Sequence, residues 1–308
     1  MPLSEAIRAL SAFDPPAALP DVDLALLAEV LEVNGLAPIA SYHLESRPLG
    51  AGVPAQFREK LLALYQGVVN DNVYRVMTIR GALKASPVPV VALGGLAAVD
   101  WLYPHLAFRP LGDVRLAVRG RDGGAFTEAA RGAGFSVEDV AGGGRGVAFG
   151  DGRVRFTIQE GLWAEADLDA PLFARATPLP ALGPRVLRPA PEEMLLSTVG
   201  EQAEQGLYAP LVTFVDLREL LRQDAPLDAA HVARRAAATG LSRALHGSLS
   251  LLTHHFPEVA PAARALLPAL SAPERAAVDA IVRSASDPAR LTHLRGAQAA
   301  ARLAVLPR

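Results

Sequence analysis

The sequence predicts an α+β protein in which a small mixed sheet lies between two helical regions of the chain. Apolar residues recur at helical spacing over residues 1–86 and again over residues 191–308. Residues 87–190 instead contain short β-branched runs separated by turns rich in Gly and Pro. We therefore expect an N-terminal helical region (1–86), an α/β core (87–190) and a C-terminal helical domain (191–308).

In the N-terminal region, Asp21 is predicted to cap a helix that ends at Asn34-Gly35. A short helix follows, and Pro54 then opens a longer helix that Pro87 ends. The long helix carries polar side chains that we predict to form a solvated face rather than a cleft wall: Asn70, Asp71, Asn72 and Arg75.

The core is predicted to contain a strand over 88–93, a helix over 95–103, a strand over 114–118, a helix over 122–132 and a meander of strands over 135–158. The glycine clusters at 142–146 and 150–152 lack the flanking strand and helix of a phosphate-binding loop, so we predict hairpin turns there. Residues 164–191 form a connection with one short strand at 185–187. C-terminal helices are predicted over 191–205, 209–223, 228–239, 241–254, 259–269, 273–285 and 288–304.

The composition restricts the class of protein. Half of the residues are hydrophobic (51%), which is enough for a large core, and the net charge of −2 argues against nucleic acid as the main partner. The chain has no Cys, which excludes disulfides and thiolate metal sites. We find no secretory signal pattern, and the longest apolar run (88–99) is too short for a membrane span. We expect a cytoplasmic protein with no membrane partner.

A strand, a Gly-Gly turn and a second strand between residues 91 and 118 form a pattern typical of phosphate chemistry. Enzymes that transfer nucleotidyl groups use a divalent metal to neutralise charge on the attacking and leaving oxygens. Two acids at positions i and i+2 of a strand lie on one face and can hold that metal. Here the second strand opens on Asp113, but the i+2 position is Arg115. A permanent cation therefore stands where the second acid would be.

Two motifs and three later segments carry a resemblance to a known family. The first motif is Leu93-Gly94-Gly95, an apolar helix and Tyr103; the second is Arg109, a three-residue spacer and Asp113-Val114-Arg115 in an apolar strand. The later segments are RFTIQEGLW (155–163), FARATPLPALGPRVLRPAPEEMLL (173–196) and LVTFVDLRELL (211–221), which retains Asp216. Over roughly residues 30–250 the chain resembles a bacterial nucleotidyltransferase-like family with a minimal DNA-polymerase-β-type core.

The resemblance implies a nucleotidyltransferase-type sheet that binds Mg²⁺ and a nucleoside triphosphate, but the charged positions depart from the family pattern. The departures are Gly94 at the expected lysine, Arg115 at the second acid, Thr157 at the third acid and Gln159 at the expected histidine. Of the charged set, Asp113 and Arg109 remain. One carboxylate makes a weak Mg²⁺ site, so the resemblance implies this fold without a complete metal site.

The leading hypothesis is a protein of this fold that lacks catalytic activity and binds a nucleotide or a protein partner without a cofactor. A nucleotide held without metal would contact the Gly-Gly turn and nearby guanidinium groups, namely Gly94, Gly95, Arg109, Arg115 and Arg119. Asp113 would be the catalytic residue of any remaining activity, and no metal site beyond this one acid is expected.

Two alternatives stay open. An active Mg²⁺-dependent nucleotidyltransferase would combine Asp113 with substitute ligands, Glu160 or Asp100. Glu160 is displaced by an odd number of residues from the expected acid, which turns it to the other face of a strand. In the second alternative, the helices of residues 192–308 act as an interaction scaffold.

Histidines suggest two further sites, and we favour a structural role for each. His254 and His255 lie near Glu258, but adjacent side chains diverge by about 100° on a helix, which disfavours a shared metal ion. His105 lies in the loop between the motifs and could line a cleft, although its place beside Pro104 is typical of an ordinary loop residue.

Overall fold

The computed structural model describes residues 2–16, 18–46, 48–112, 114–139, 146–150, 154–163 and 166–287, together with residues 289 and 305. Over these residues the predicted α+β class is confirmed. The helices are α1 (Pro2–Ser11), α2 (Leu24–Val33), α3 (Ala37–Ser46), α4 (Ala55–Ala85), α5 (Gly94–Val99), α6 (Gly123–Gly132), α7 (Ala166–Ala174), α8 (Pro191–Glu204), α9 (Leu211–Leu221), α10 (Ala229–Ala238), α11 (Ser242–His255), α12 (Ala260–Ala265) and α13 (Ala272–Ala285). No described helix has both the length and the apolar character that a bilayer-spanning segment needs.

The described strands form one mixed sheet in the order β3-β4-β5-β2-β1-β7-β6. They are β1 (Val90–Ala92), β2 (Val114–Val118), β3 (Ser136–Asp139), β4 (Gly146–Gly150), β5 (Arg155–Glu160), β6 (Thr177–Pro178) and β7 (Val186–Arg188). β2 pairs antiparallel with β1 and parallel with β5, and β1 pairs parallel with β7. The strands that carry the sequence motifs therefore lie side by side in the middle of the sheet.

The two faces of the sheet pack against different helices. Val90, Leu116 and Phe156 belong to a buried cluster that includes residues of α4 and α6. Ala117 lies on the opposite face, in a smaller cluster with Leu172 of α7. Since side chains alternate along a strand, every second residue of β2 faces α7.

The helices at the two ends of the chain share one hydrophobic core. Buried side chains of α1–α4 and of α8–α13 belong to a single continuous cluster. Apolar burial of this kind is the main favourable term in folding, so the two helical parts stabilise each other. The division of the chain into three domains stays a prediction.

The start of the N-terminal region differs from the prediction. Asp23, not Asp21, caps α2, because an Asp23 side-chain oxygen accepts hydrogen bonds from the N–H groups of Ala25 and Leu26 at 2.9 and 3.2 Å. The residue pattern also fails to identify α1. The long helix is confirmed as α4, which begins directly after Pro54.

The connection predicted over 164–191 contains a helix, α7, that its Pro-rich and Ala-rich composition does not predict. α7 has Pro171 in its interior, and proline lacks the backbone donor that an interior position supplies. The single predicted strand at 185–187 is confirmed as β7, which pairs antiparallel with β6. Three predicted features lie wholly or mainly outside the described residues: the turns at 142–146 and 150–152 and the helix over 288–304.

A buried ion pair joins the loop after α5 to helix α9. Arg109 Nη2 donates to Asp216 Oδ2 at 2.8 Å, and Arg109 Nε lies 3.2 Å from both carboxylate oxygens. Tyr103 Oη donates to Asp216 Oδ1 at 2.6 Å. The side chains of Arg109 and Asp216 are 8% and 2% exposed. All three residues belong to the segments that carry the family resemblance.

The surroundings of this cluster fix the protonation state of its donors. Burial, and after it the Asp216 carboxylate, raises the pKa of the Tyr103 hydroxyl well above its usual value. Burial would lower the pKa of Arg109, but the Asp216 carboxylate and its hydrogen bonds outweigh burial and raise it. Both donors therefore stay protonated at neutral pH, and Asp216 accepts from both.

α11 ends in two histidines that differ in burial. His255 is 6% exposed and packs against Phe214 and Phe256, whereas His254 is exposed. Burial, followed by the charges of His254 and Arg8, lowers the pKa of His255 to about 3. His255 is thus a neutral core side chain at physiological pH.

We expect the substitution Asp216→Asn to lower the free energy of unfolding by about 3–5 kcal/mol, because it leaves the Arg109 guanidinium buried without its counter-charge. Urea denaturation followed by circular dichroism measures this loss. The control is Asp224→Asn, an exposed acid just beyond α9, which should change stability by less than about 0.5 kcal/mol. An Asp216→Asn variant as stable as the control would contradict a structural role for the ion pair.

We also expect stability to depend on the protonation of His255. The unfolded chain takes up a proton on this histidine below about pH 6.5, whereas the folded protein does so only near pH 3, so stability falls as the pH drops through this interval. At pH 5 the cost is about 2 kcal/mol. Between pH 7 and pH 5, His255→Leu should therefore lose about 2 kcal/mol less stability than the native protein. His254→Leu is the control, and equal losses in the two variants would show that His255 is not the cause.

Candidate functional site

The candidate site lies where β1, β2 and β5 meet, on the face of the sheet that α7 covers. Arg115 of β2 is the register partner of Thr157 of β5, so their side chains lie on the same face. The Leu93 N–H donates to the Arg115 carbonyl at 3.0 Å, which places the turn beginning at Gly94 beside them. The sheet therefore brings together Gly94, Arg115 and Thr157, three positions where the resemblance predicts other residues.

The Arg115 side chain is bonded to two acids of α8. Its Nη2 lies 2.7 Å from Glu201 Oε1, and its Nη1 lies 3.3 Å from Glu204 Oε2. The Arg115 and Glu201 side chains are 16% and 23% exposed, so this ion pair is partly shielded, while Glu204 is 54% exposed. The guanidinium that replaces an acid in the motif therefore finds its counter-charge on a C-terminal helix.

The Gly94 turn lies directly against the same carboxylate. Gly94 has a φ of +52°, a left-handed conformation that side chains rarely adopt. A Cβ built at this position would lie 3.1 Å from Glu201 Oε2. The lysine that the resemblance predicts at this position would be strained here and would compete with Arg115 for Glu201.

Helix α4 holds the loop that leads to Asp113. Asn72 is buried, donates to the carbonyls of Leu106 and Arg109 at 2.8 Å, and accepts from the Leu111 N–H at 3.1 Å. Arg75 Nη1 donates to the Gly112 carbonyl at 2.9 Å. The prediction of a purely solvated face is therefore wrong for Asn72 and Arg75, because both side chains satisfy backbone groups of this loop.

Two neighbours in the polar group of α4, Asn70 and Asp71, are exposed as predicted. Asp71 forms an ion pair with Arg75 at 3.5 Å, one helical turn away. Asp113 itself lies outside the described residues, and its role stays a prediction.

The three arginines proposed as phosphate contacts point to different internal partners. Arg109 is committed to Asp216, and a Cβ at Gly95 would lie 3.0 Å from its Cζ, so this guanidinium packs beneath the Gly-Gly turn. The Arg119 guanidinium lies over the ring of Phe173, 4.8 Å from its centroid. Arg115 and Arg119 are separated by about 13 Å along the chain direction of β2.

The substitute acids of the alternative hypothesis lie elsewhere. Glu160 is the register partner of Val118, on the face that packs against α6, and its carboxylate crowds the position of a Cβ at Gly123. Asp100 is exposed at the end of α5, whereas Gly94 is at its start. Glu160 therefore lies on the opposite face of the sheet from Arg115 and Thr157, and Asp100 lies at the other end of α5 from the Gly94 turn.

The remaining candidates have local roles. His105 Nδ1 accepts the Ala107 N–H at 3.1 Å and so shapes the loop. His254 and His255 lie edge to face, with ring centroids 5.2 Å apart, and only one of them is buried. Within the described part of the chain, no group of three or more His, Asp or Glu side chains is arranged to share a metal ion.

Glu201 and Glu204 were not predicted as site residues from the sequence. They follow the FARATPLPALGPRVLRPAPEEMLL segment by a few residues and belong to the same helix, α8, but nothing in their own pattern indicates a cleft. Two signals could have suggested that they bind Arg115. Their three-residue spacing puts both on one face of a helix, and the positive charge of Arg115 in the strand motif requires a counter-charge.

The comparisons with known proteins are consistent with this geometry. A family model described as an uncharacterised nucleotidyltransferase matches residues 20–257, which is more than half of the chain. The chain matches no curated protein and no solved structure. The matched range includes the Gly-Gly turn, β2, β5 and the Glu201 helix α8. The chain therefore belongs to this uncharacterised nucleotidyltransferase family.

Proposed function

We propose that this chain is a nucleotidyltransferase-fold protein without nucleotidyl-transfer activity, which acts as a binding module for a nucleotide or a protein partner. The observation that carries the proposal is the ion pair between Arg115 and Glu201, at 2.7 Å. In this proposal the guanidinium, already neutralised from within the chain, takes the position where the family resemblance predicts the second metal-binding acid.

The donor set around Arg115 does not fit a divalent metal while Arg115 holds the carboxylates of Glu201 and Glu204. Mg²⁺ requires several oxygen ligands, and a metal here would approach a permanent cation in partly shielded surroundings. Thr157, at the third acid's position, adds no negative charge. The remaining acid of the motif, Asp113, would have to hold the ion against this repulsion.

The fixed backbone around the site supports a binding role. Three features keep the backbone of the site in a fixed arrangement: the Gly-Gly turn, the loop that Asn72 holds by hydrogen bonds, and the buried ion pair between Arg109 and Asp216. A preorganised surface loses little entropy when it binds a ligand. A nucleotide would have to compete with Glu201 for Arg115, whereas a protein partner could approach the exposed Glu204 directly.

A second candidate function follows from the same acids. Glu201 and Glu204 bring two carboxylates to the site, and an active enzyme could use them with Asp113 if Arg115 moved aside. In that case the double substitution Glu201→Gln and Glu204→Gln would abolish activity. Under the first proposal there is no activity for it to abolish.

We expect no nucleotidyl transfer from labelled ATP, GTP, CTP or UTP with Mg²⁺ or Mn²⁺, either to the protein itself or to added ribonucleotide, amino-acid and aminoglycoside acceptors. The physical reason is the missing metal charge at the reacting oxygens. Label release is measured beside an Asp113→Ala variant, and both should give the same background. Transfer by the native protein that Asp113→Ala abolishes would overturn the proposal.

We expect metal binding to appear when the two lost acids are restored together. Arg115→Asp with Thr157→Asp should bind Mn²⁺ at least about tenfold more tightly than the native protein in isothermal titration, because affinity for hard cations rises with carboxylate count. The control is Arg121→Asp with Thr177→Asp, the same charge change at exposed positions outside the site. Equal gains in both double variants would show only a general charge effect and contradict the assignment of these two positions.

A further inference from the structure

A second concave site lies at the junction of α3, α4 and the loop after Tyr103. It is a cavity of about 470 Å³, within the size range of small-molecule sites. Six of its seven lining residues carry rings of Phe, Tyr or His: Phe13, Tyr42, His43, Tyr65, His105 and Phe108, with Pro104 completing the wall. None of these belongs to the Arg115 site.

The wall of this ring-lined cavity that contains Phe108 is held in place by contacts within the protein. Phe108 is buried and packs on Tyr42, with ring centroids 4.8 Å apart. The two Asn72 hydrogen bonds fix the backbone on either side of Phe108, at Leu106 and Arg109. The cavity therefore does not depend on a ligand to form its wall, which favours binding by reducing the ordering cost.

The chemistry of the lining selects among ligands. The lining includes no Asp, Glu, Lys or Arg, so it offers no counter-charge to an ionic ligand. Because His105 Nδ1 accepts the Ala107 N–H, the neutral ring carries its proton on Nε2 and can donate there. The hydroxyls of Tyr42 and Tyr65 have no hydrogen-bond partner among the described residues, and Tyr42 is 43% exposed although it is aromatic.

We propose that this cavity binds a planar, uncharged nitrogen heterocycle of the nucleobase type, stacked on the aromatic rings. Stacking uses the ring faces, and the polar edge of a heterocycle can pair with His105 Nε2 and the tyrosine hydroxyls. A hydrocarbon ring would leave those polar groups unpaired, and a quaternary cation would pair with none of them. The proposal involves neither Arg115 nor Asp113, and it holds whether or not the Arg115 site binds a nucleotide.

The test uses the full-length protein and adenosine, a nucleoside without phosphate, as the probe in isothermal titration and ligand-observed NMR. We expect saturable binding that Tyr42→Ala weakens by about tenfold, as loss of a stacking ring does in base-binding proteins. His105→Ala should also weaken it. Both residues are exposed, so the variants should fold, and circular dichroism checks this. Tyr74→Ala, an exposed tyrosine of α4 that does not line the cavity, is the matched control and should bind as the native protein does.

Three results would overturn the proposal. The first is no saturable binding of adenosine. The second is adenosine binding that is equal in the Tyr42→Ala, His105→Ala and Tyr74→Ala variants, which would put the nucleoside elsewhere. The third is tighter binding of tetramethylammonium or p-cresol than of adenosine, which would identify a cation cage or a pocket for an aromatic side chain. Native-like adenosine binding by Arg115→Ala would separate this cavity from the candidate site.

Discussion

The buried contact between Arg109 and Asp216 is the constraint on which the geometry of the site depends. It joins the loop between the two motifs to α9, and Tyr103, at the other end of that loop, bonds to the same carboxylate. An ion pair with so little water around it is stable only when its hydrogen bonds are satisfied, so the loop has few alternative conformations. Asn72 of α4 fixes the middle of the same loop.

The motif residues divide by what they do in the structure. Tyr103, Arg109 and Asp216 belong to the segments that carry the family resemblance, and their side chains hold the loop to helix α9. Arg115 and Thr157 are the positions where the resemblance predicts metal-binding acids, and both side chains lie on the same face of the sheet. A charged residue in these motifs therefore need not be catalytic, because a buried counter-charge is also costly to remove.

The sequence predicts the strands and long helices well, because their signals are local. β2 and α4 are identified from apolar spacing alone. The odd displacement of Glu160 from the expected acid also predicts correctly that Glu160 lies on the opposite face of the sheet from the site. Partners distant in sequence could not be predicted. No periodicity indicates that Arg115 bonds to Glu201, 86 positions later, or that Asn72 turns inward to the loop. The helix around Pro171 could not be predicted from its residues, because its packing against the sheet outweighs its poor helix propensity.

Gly94 and Arg115, two positions where the resemblance predicts other residues, form one physical unit with Glu201, and this explains why a single reversion would be a poor test of function. Gly94 has a left-handed φ and leaves space for the Glu201 carboxylate, which then neutralises Arg115. Restoring a lysine at position 94 alone would strain the turn and give Glu201 two competing cations. Replacing Arg115 with an acid alone would put two carboxylates face to face without a counter-charge. With acids at both positions 115 and 157 the repulsion grows further, and a bound divalent cation would supply the missing counter-charge, so the double variant tests directly for a metal.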